Sequence, residues 1–539
     1  MQEEQKNTEQ QLETAPEQKK KSRLLMIGLA AAVVAVIGIG AFAALQLFAK
    51  NPKTVVAQAF LSLGADLDQA PAEQIFGFRE ISENKLTGDY EENFDLSISA
   101  ISDEEMALLE GSGLSLSQRL SNTQKKSWGS LGLNYGSMAL GTLEAYYDEE
   151  MLQAALPDYS SKVFLINLGE GLEEEILNAP VMDLAGVPQE EKAQMAHSLA
   201  SALNSPFGET VTAGELWDRF RESGQAVTDF VEGVQVEKAG KETFQMDGKD
   251  VKCTGYEVII GRDILVDFIK SYMDFIWNDE EVKELILNQV GASLELYAQN
   301  GGGAEEGYDQ MVQDVQDAVD QVCSALTDVH MMVYVDGDGR MAAWDLETAL
   351  NSEGEEVSLA LNLRPQGGTY LTQNMTASIQ IEGGGDTISA DLEKAGSYEN
   401  GTMEESGKLT FSADGEEASM NWLIAYDSEG ETWDASLGLG TSDAPEMFTA
   451  QAHGIVDELE KGTRISASMD ELSLQAAGQE IKLEGSYSYQ KTEEAPASLE
   501  GDQINVFTAT EEEWQSVIDE MSEKFQGILL TLMFQVGVQ

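Results

Sequence analysis

Few side chains in this chain stand at spacings that do chemistry. Ser82-x-x-Lys85 has the spacing of a serine nucleophile with a lysine base, but no Lys-Thr-Gly follows it. Lys461-Gly462-Thr463 holds those residues in scrambled order, and the pattern at Lys85 predicts a strand where the motif needs a helix. Asp336-x-Asp338-x-Arg340 opens like a calcium loop with Glu347 at its twelfth position. Arg340 replaces an oxygen ligand, however, and Met341 replaces the glycine of the sharp turn, so Asp-Gly-Asp-Gly reads as a hairpin turn. His197, His330 and His453 are scattered without a second ligand at i+3 or i+4. No Gly-x-Ser-x-Gly elbow and no glycine-rich phosphate loop occurs. No catalytic, cofactor-binding or metal-binding residue and no cofactor are therefore expected.

Carboxylates are too plentiful to single out an acid–base pair. Asp103-Glu104-Glu105, Glu190-Glu191, Asp279-Glu280-Glu281 and Glu511-Glu512-Glu513 stand at expected helix starts. Negative charge there is favoured by the helix dipole. Cys253 and Cys323, 70 residues apart, leave two readings open: a disulfide outside the cytoplasm or two buried thiols.

The element that must place all of this is Leu24–Ala49, 26 residues without a charge. About 20 apolar residues cross a bilayer, so the run reads as one transmembrane helix. Lys19, Lys20, Lys21 and Arg23 precede it, which puts the N-terminus in the cytoplasm and the bulk outside, as a signal-anchor. A cleaved signal peptide, with Ala41-Phe42-Ala43 as its site, is the alternative; the run is nearly twice the usual length of such a region. Without a nearby Cys, the anchor is not a lipid.

The chain holds 32 Lys+Arg against 96 Asp+Glu, a net of −64. Residues 1–50 contribute six basic and five acidic side chains, which leaves −65 for the rest. A field of that sign repels phosphate backbones and anionic lipid surfaces, which excludes nucleic acid, and it attracts a basic protein or a cation.

The fold class expected is α+β: one N-terminal transmembrane helix, then an extracytoplasmic region of long antiparallel β-meander or half-barrel sheets packed by helices. Residues 1–23 read as a disordered cytoplasmic tail, 24–49 as the span and 50–260 as an α+β domain. Residues 261–329 read as a helical segment, 330–490 as an antiparallel meander and 491–539 as a linker with a C-terminal amphipathic helix. In the meander Val357, Leu359, Leu361 and Leu363 alternate strictly with polar residues, as do Met420, Trp422, Ile424 and Tyr426. One face is buried and one is wet. Ser102-x-x-Glu105 and Asn278-x-x-Glu281 read as helix starts, and Thr510-x-x-Glu513 as the cap of the last helix. Lys85–Tyr90 and its echo Lys482–Tyr487 read as two sheet-edge strands.

The Lys-rich tail before an Ala/Gly/Val anchor, the strand Val251–Val258 and the hairpin Tyr334–Arg340 together resemble uncharacterised single-pass, acidic envelope proteins of Gram-positive bacteria. The likeness implies a cell-membrane protein with an extracytoplasmic bulk and carries no activity with it. A curled antiparallel sheet with helices on its concave side also resembles carrier half-barrels for lipids or lipidated proteins. The function expected is a membrane-anchored extracytoplasmic binding or scaffold protein without catalysis. The alternatives are a carrier or sensor of a hydrophobic ligand held between sheet and helices, and a carboxylate-dependent envelope hydrolase.

Overall fold

The computed structural model describes residues 52–203, 213–297, 303–352, 355–413 and 415–536; the tail and the apolar run 24–49 lie outside them. Among the described residues no helix is long and apolar enough to cross a membrane.

Pro52, where a missing N–H costs nothing, opens α1 (Pro52–Ala65), followed by α2 (Pro71–Phe76) and α3 (Phe78–Thr87). The first strands are β1 (Asp89–Ile101), β2 (Ser112–Ser121), β3 (Lys126–Tyr135), β4 (Met138–Tyr147), β5 (Met151–Ala155) and β6 (Lys162–Asn167). A helical stretch follows, with α4 (Leu172–Leu177), α5 (Pro180–Leu184), α6 (Gln189–Leu203), α7 (Ala213–Ser223) and α8 (Gln225–Gly233). The hairpin β7 (Gln235–Met246) and β8 (Lys249–Ile260) leads to α9 (Arg262–Trp277), α10 (Glu280–Tyr297) and α11 (Ala304–Ala325). The meander begins with β9 (Val329–Val335), β10 (Met341–Ser352), β11 (Glu355–Gly367), β12 (Asn374–Gly383), β13 (Asp386–Glu399) and β14 (Thr402–Ala413). It continues through β15 (Glu416–Asp427), β16 (Thr432–Thr441), β17 (Phe448–Glu460), β18 (Arg464–Ala476) and β19 (Gln479–Lys491). A short β20 (Asp502–Asn505) and the helix α12 (Glu511–Val536) close the described chain.

The fold is α+β, and the described residues form one sheet of 20 strands. Its order runs from β7 to β19 in sequence, then β1 to β6, then β20. Among the described strands every pairing is antiparallel except β6 with β20. Residues 50–260 are thus divided between the two flanks of the sheet, because β1 pairs with β19 while β8 pairs with β9. A sheet of this size must curl. At one flank β7 folds over β10 and β11, and the amide of Asp247 donates to the Gln366 carbonyl at 2.8 Å.

The main core lies between β7–β11 and the helices α1, α7, α8, α9 and α11. Val333, Leu346, Met341, Leu265 and Val231 are fully buried there, with Phe220, Phe230 and Phe268 in ring contact. A smaller cluster places Ile81 and Phe76 against Tyr90, Ile465 and Tyr489, so α2 and α3 run along one end of the strands. Gly77 joins those two helices at φ +67°, and a Cβ there would stand 2.7 Å from the Gly462 nitrogen.

Several local expectations are corrected. Lys85 lies on α3, because Ile81 and Asn84 face inward at helical spacing and the Asn84 amide donates to the Tyr489 hydroxyl at 2.8 Å. Ser102 opens no α-helix: its hydroxyl donates to Gln479 and accepts from the Glu480 amide at 2.7 Å, so no cap is left over. Asp279, rather than Asn278, caps α10 by accepting from the Glu281 and Val282 amides at 3.1 Å. β1 and β19 are not sheet edges; they pair with each other. β20, within the expected C-terminal linker and helix, is held by pairing with β6. Thr510 and Glu513 do form the reciprocal capping box, with contacts of 2.8 and 3.3 Å.

Candidate ligand-binding face

The positions flagged for chemistry do structural work. Ser82 and Lys85 share α3, but Ser82 is exposed whereas the Lys85 ammonium turns inward to Glu92 at 2.6 Å. Asp336 accepts from the amides of Asp338 and Arg340 at 2.9 Å and from the Arg340 guanidinium. The other end of Arg340 reaches Asp247 at 3.0 Å, so a guanidinium fills the position a calcium ion would need. His197 sits against Glu173 and His453 against Asp434, and His330 is exposed. Among the described residues no three His, Cys, Asp or Glu side chains converge on a metal position. Cys253 and Cys323 are free and buried, the second of the two readings left open by the sequence. Burial pushes both up from the ordinary thiol range. Among the described carboxylates, those that depart from the ordinary range (Asp89, Glu92, Glu480, Glu513 and Glu520) all depart downward. A general acid needs the opposite shift.

What remains is a surface. Paired residues of an antiparallel sheet share a face, so the register can be followed strand by strand. Met331, Leu346, Leu361, Ile379, Ala390 and Phe411 are successive partners from β9 to β14. From Trp422 and Leu437 on β15 and β16 the same face continues through β17–β19 to Phe94, Leu116, Leu131 and Leu143 on β1–β4. One apolar face therefore crosses nearly the whole sheet. Helices cover it over β7–β11, along one strand end, and at β6 and β20, where Trp514, Val517 and Met521 of α12 pack.

Between those covers the face is open. Leu114, Leu116, Leu131, Leu133 and Leu143 on β2–β4 are 36–50 % exposed. Ile379, Ile388, Phe411 and Ile424 on β12–β15 are 37–49 % exposed. Scattered surface leucines need no explanation, but a contiguous apolar patch on a folded chain marks a binding surface.

Two polar clasps of the same chemistry interrupt this face. In one, Glu92 of β1 accepts from Lys85 and from the Tyr487 hydroxyl, both at 2.6 Å, and from Gln118 at 2.7 Å. The Lys85 ammonium lies 5.4 Å from the Tyr489 ring centre. In the other, Lys394 of β13 contacts Glu405 and the Tyr370 hydroxyl, each at 2.9 Å, and lies 5.2 Å from the Tyr370 ring centre. Each clasp pins a covering segment, α3 or the loop holding Tyr370, onto the sheet. Local patterning gave no sign of them, because each gathers partners from separate elements, 395 residues apart for Glu92 and Tyr487 and 24 apart for Lys394 and Tyr370.

Burial alone would raise the Glu92 pKa, but hydrogen bonds from Lys85, Tyr487 and Gln118 and the Lys85 charge hold it below the ordinary glutamate range. A depressed folded pKa stabilises above the unfolded value and is lost as pH falls through the folded one. Glu92→Gln should therefore be less stable than the native chain at pH 7, by roughly 1–3 kcal/mol for charge-assisted hydrogen bonds. That gap should narrow as pH falls below the ordinary glutamate range and be lost once Glu92 is protonated in the folded state, as read in urea titrations; a gap independent of pH would refute the role of the clasp.

A groove of about 610 Å³ beside α7, α9 and α10 is rimmed by Asp274, Asp279, Glu280 and Glu281 over Phe220 and Phe275. Arg219 sits within it, 2.9 Å from both Asp279 and Glu281.

No protein-family model matches the sequence, and no curated protein matches it. Among solved structures the chain is similar to OccK3 (OpdO) of Pseudomonas aeruginosa, with 7 % identity and a TM-score of 0.20 over 77 % of this chain and 98 % of that one. MucB in complex with MucA(peri) gives 8 % identity and a TM-score of 0.09 over 76 % and 92 %. Transferrin Binding Protein B from Haemophilus parasuis gives 6 % identity and a TM-score of 0.09 over 75 % of both chains. Similarities at those scores define neither the fold nor the function of this chain.

Proposed function

We propose that this chain is a membrane-anchored extracytoplasmic binding protein without catalysis, and that its ligand is an apolar chain laid on the open sheet face. The observation that carries the reading is the uncovered ladder of leucines on β2–β4, continuous with a face that helices cover elsewhere. The space between β8–β11 and its helices is packed with fully buried side chains, so a ligand belongs on the open part of the face, not beneath those helices. The charge of −64 selects against anionic head groups and favours neutral or cationic amphiphiles. The 26 uncharged residues of Leu24–Ala49 and the basic cluster before them support the anchor and its orientation.

Photo-crosslinking of the full chain with a diazirine-bearing hexadecanol tests the binding site. Adducts are expected on β2–β4 and β12–β15; adducts confined to residues 24–49 would overturn it. For the orientation, Gly303→Cys should react with a membrane-impermeant thiol reagent on intact cells, against a background of two buried thiols. Reaction only after lysis would reverse the topology.

A further inference from the structure

The helix α12 leaves its support halfway along its length. Trp514, Val517 and Met521 pack on Phe164, Ile504 and Ala509, but beyond them Phe525, Leu529 and Leu530 are 54, 44 and 56 % exposed. Phe525–Val536 carries no charged residue, in a chain with 96 acidic ones. A solvated helix end would be expected to share that charge.

The direction of the helix is set by the sheet. Phe525 meets the ring of Tyr159, with centres 6.3 Å apart, and the Tyr159 hydroxyl donates to the Leu140 carbonyl of β4. A Cβ on Gly141 would stand 2.8 Å from the Tyr159 ring, and Gly141 pairs with Leu133 of β3. The exposed end of α12 therefore begins beside the exposed leucines of β2–β4. Ile528–Val536 is nine residues, about 14 Å of helix. Three neighbouring strands lie about 10 Å apart from first to last. The lengths match.

A weak point stands where the support ends. Gly527 lies inside α12 with nothing near its missing Cβ. The Thr531 hydroxyl donates back to the Gly527 carbonyl at 2.9 Å, a contact that bends helices.

We infer that Ile528–Val536 is a lid that bends at Gly527 and lays its leucines over the β2–β4 ladder when no ligand occupies it. This rests on the proposed use of that face. The ligand and the lid then compete for the leucines of β2–β4, and the stretch of the face on β12–β15 stays open in either case.

The test uses the full chain with no added ligand, carrying Leu530→Cys with Leu133→Cys or Leu529→Cys with Leu131→Cys, oxidised by copper phenanthroline. At least one pair should close within a single chain. Gly527→Ala, which stiffens the helix, should slow closure about fivefold. No bond in either pair, a bond between two chains, or an unchanged rate in Gly527→Ala would overturn the lid. Closure without hexadecanol adducts on the sheet would defeat the binding reading and leave the lid standing. Adducts without closure would defeat the lid alone.

Discussion

Leu346→Ala should lower the free energy of unfolding by about 2–5 kcal/mol. Leu346 is fully buried on β10, between Met331 of β9 and Leu361 of β11, in the core that α1 and α9 also line. Removing its side chain loses apolar transfer and leaves a cavity that strands pinned on both sides cannot collapse. The internal contrast is Leu143→Ala, on the same face of the sheet but 43 % exposed, where the cost should stay below about 1 kcal/mol. Urea unfolding followed by tryptophan fluorescence reads both. Equal costs would mean that the helices do not seal β7–β11 as described.

The second large effect concerns the open face. Leu116→Asp with Leu131→Asp should reduce labelling by the diazirine hexadecanol at least roughly tenfold, since about 1.4 kcal/mol of lost apolar contact already changes affinity tenfold. The two leucines are paired across β2 and β3 and half-exposed, so their loss should barely change the unfolding midpoint. If labelling persists, the ladder is not the binding surface. If the midpoint collapses, the two side chains are buried in solution by far more than a nine-residue lid, and the face is not open.

Much of the architecture was legible from side-chain alternation. Val357 to Leu363 and Met420 to Tyr426 lie on strands with the apolar side inward or on the open face, as period-two patterning requires. The helices α9 and α11 follow equally from their stripes. Lys85 shows where such reading fails. Its neighbours alternate well enough for a strand, and only the contacts of Asn84 with Tyr489 and of Lys85 with Glu92 decide for helix. Ser102 fails for the complementary reason, since a partner from β19 takes the hydroxyl that the cap would use.

The sequence by itself determined that this chain carries an uncharged run of membrane-spanning length, a strongly acidic remainder and a long antiparallel sheet with one apolar face. Composition and short-range periodicity carry that information, and each needs only neighbouring residues. Only the tertiary structure decided that β1 joins β19 across nearly the whole chain, that Lys85 and Lys394 clasp their covers to the face, and which leucines stay uncovered. Alternation states that a face is apolar; what lies on it depends on segments hundreds of residues away, whose contacts no local pattern encodes.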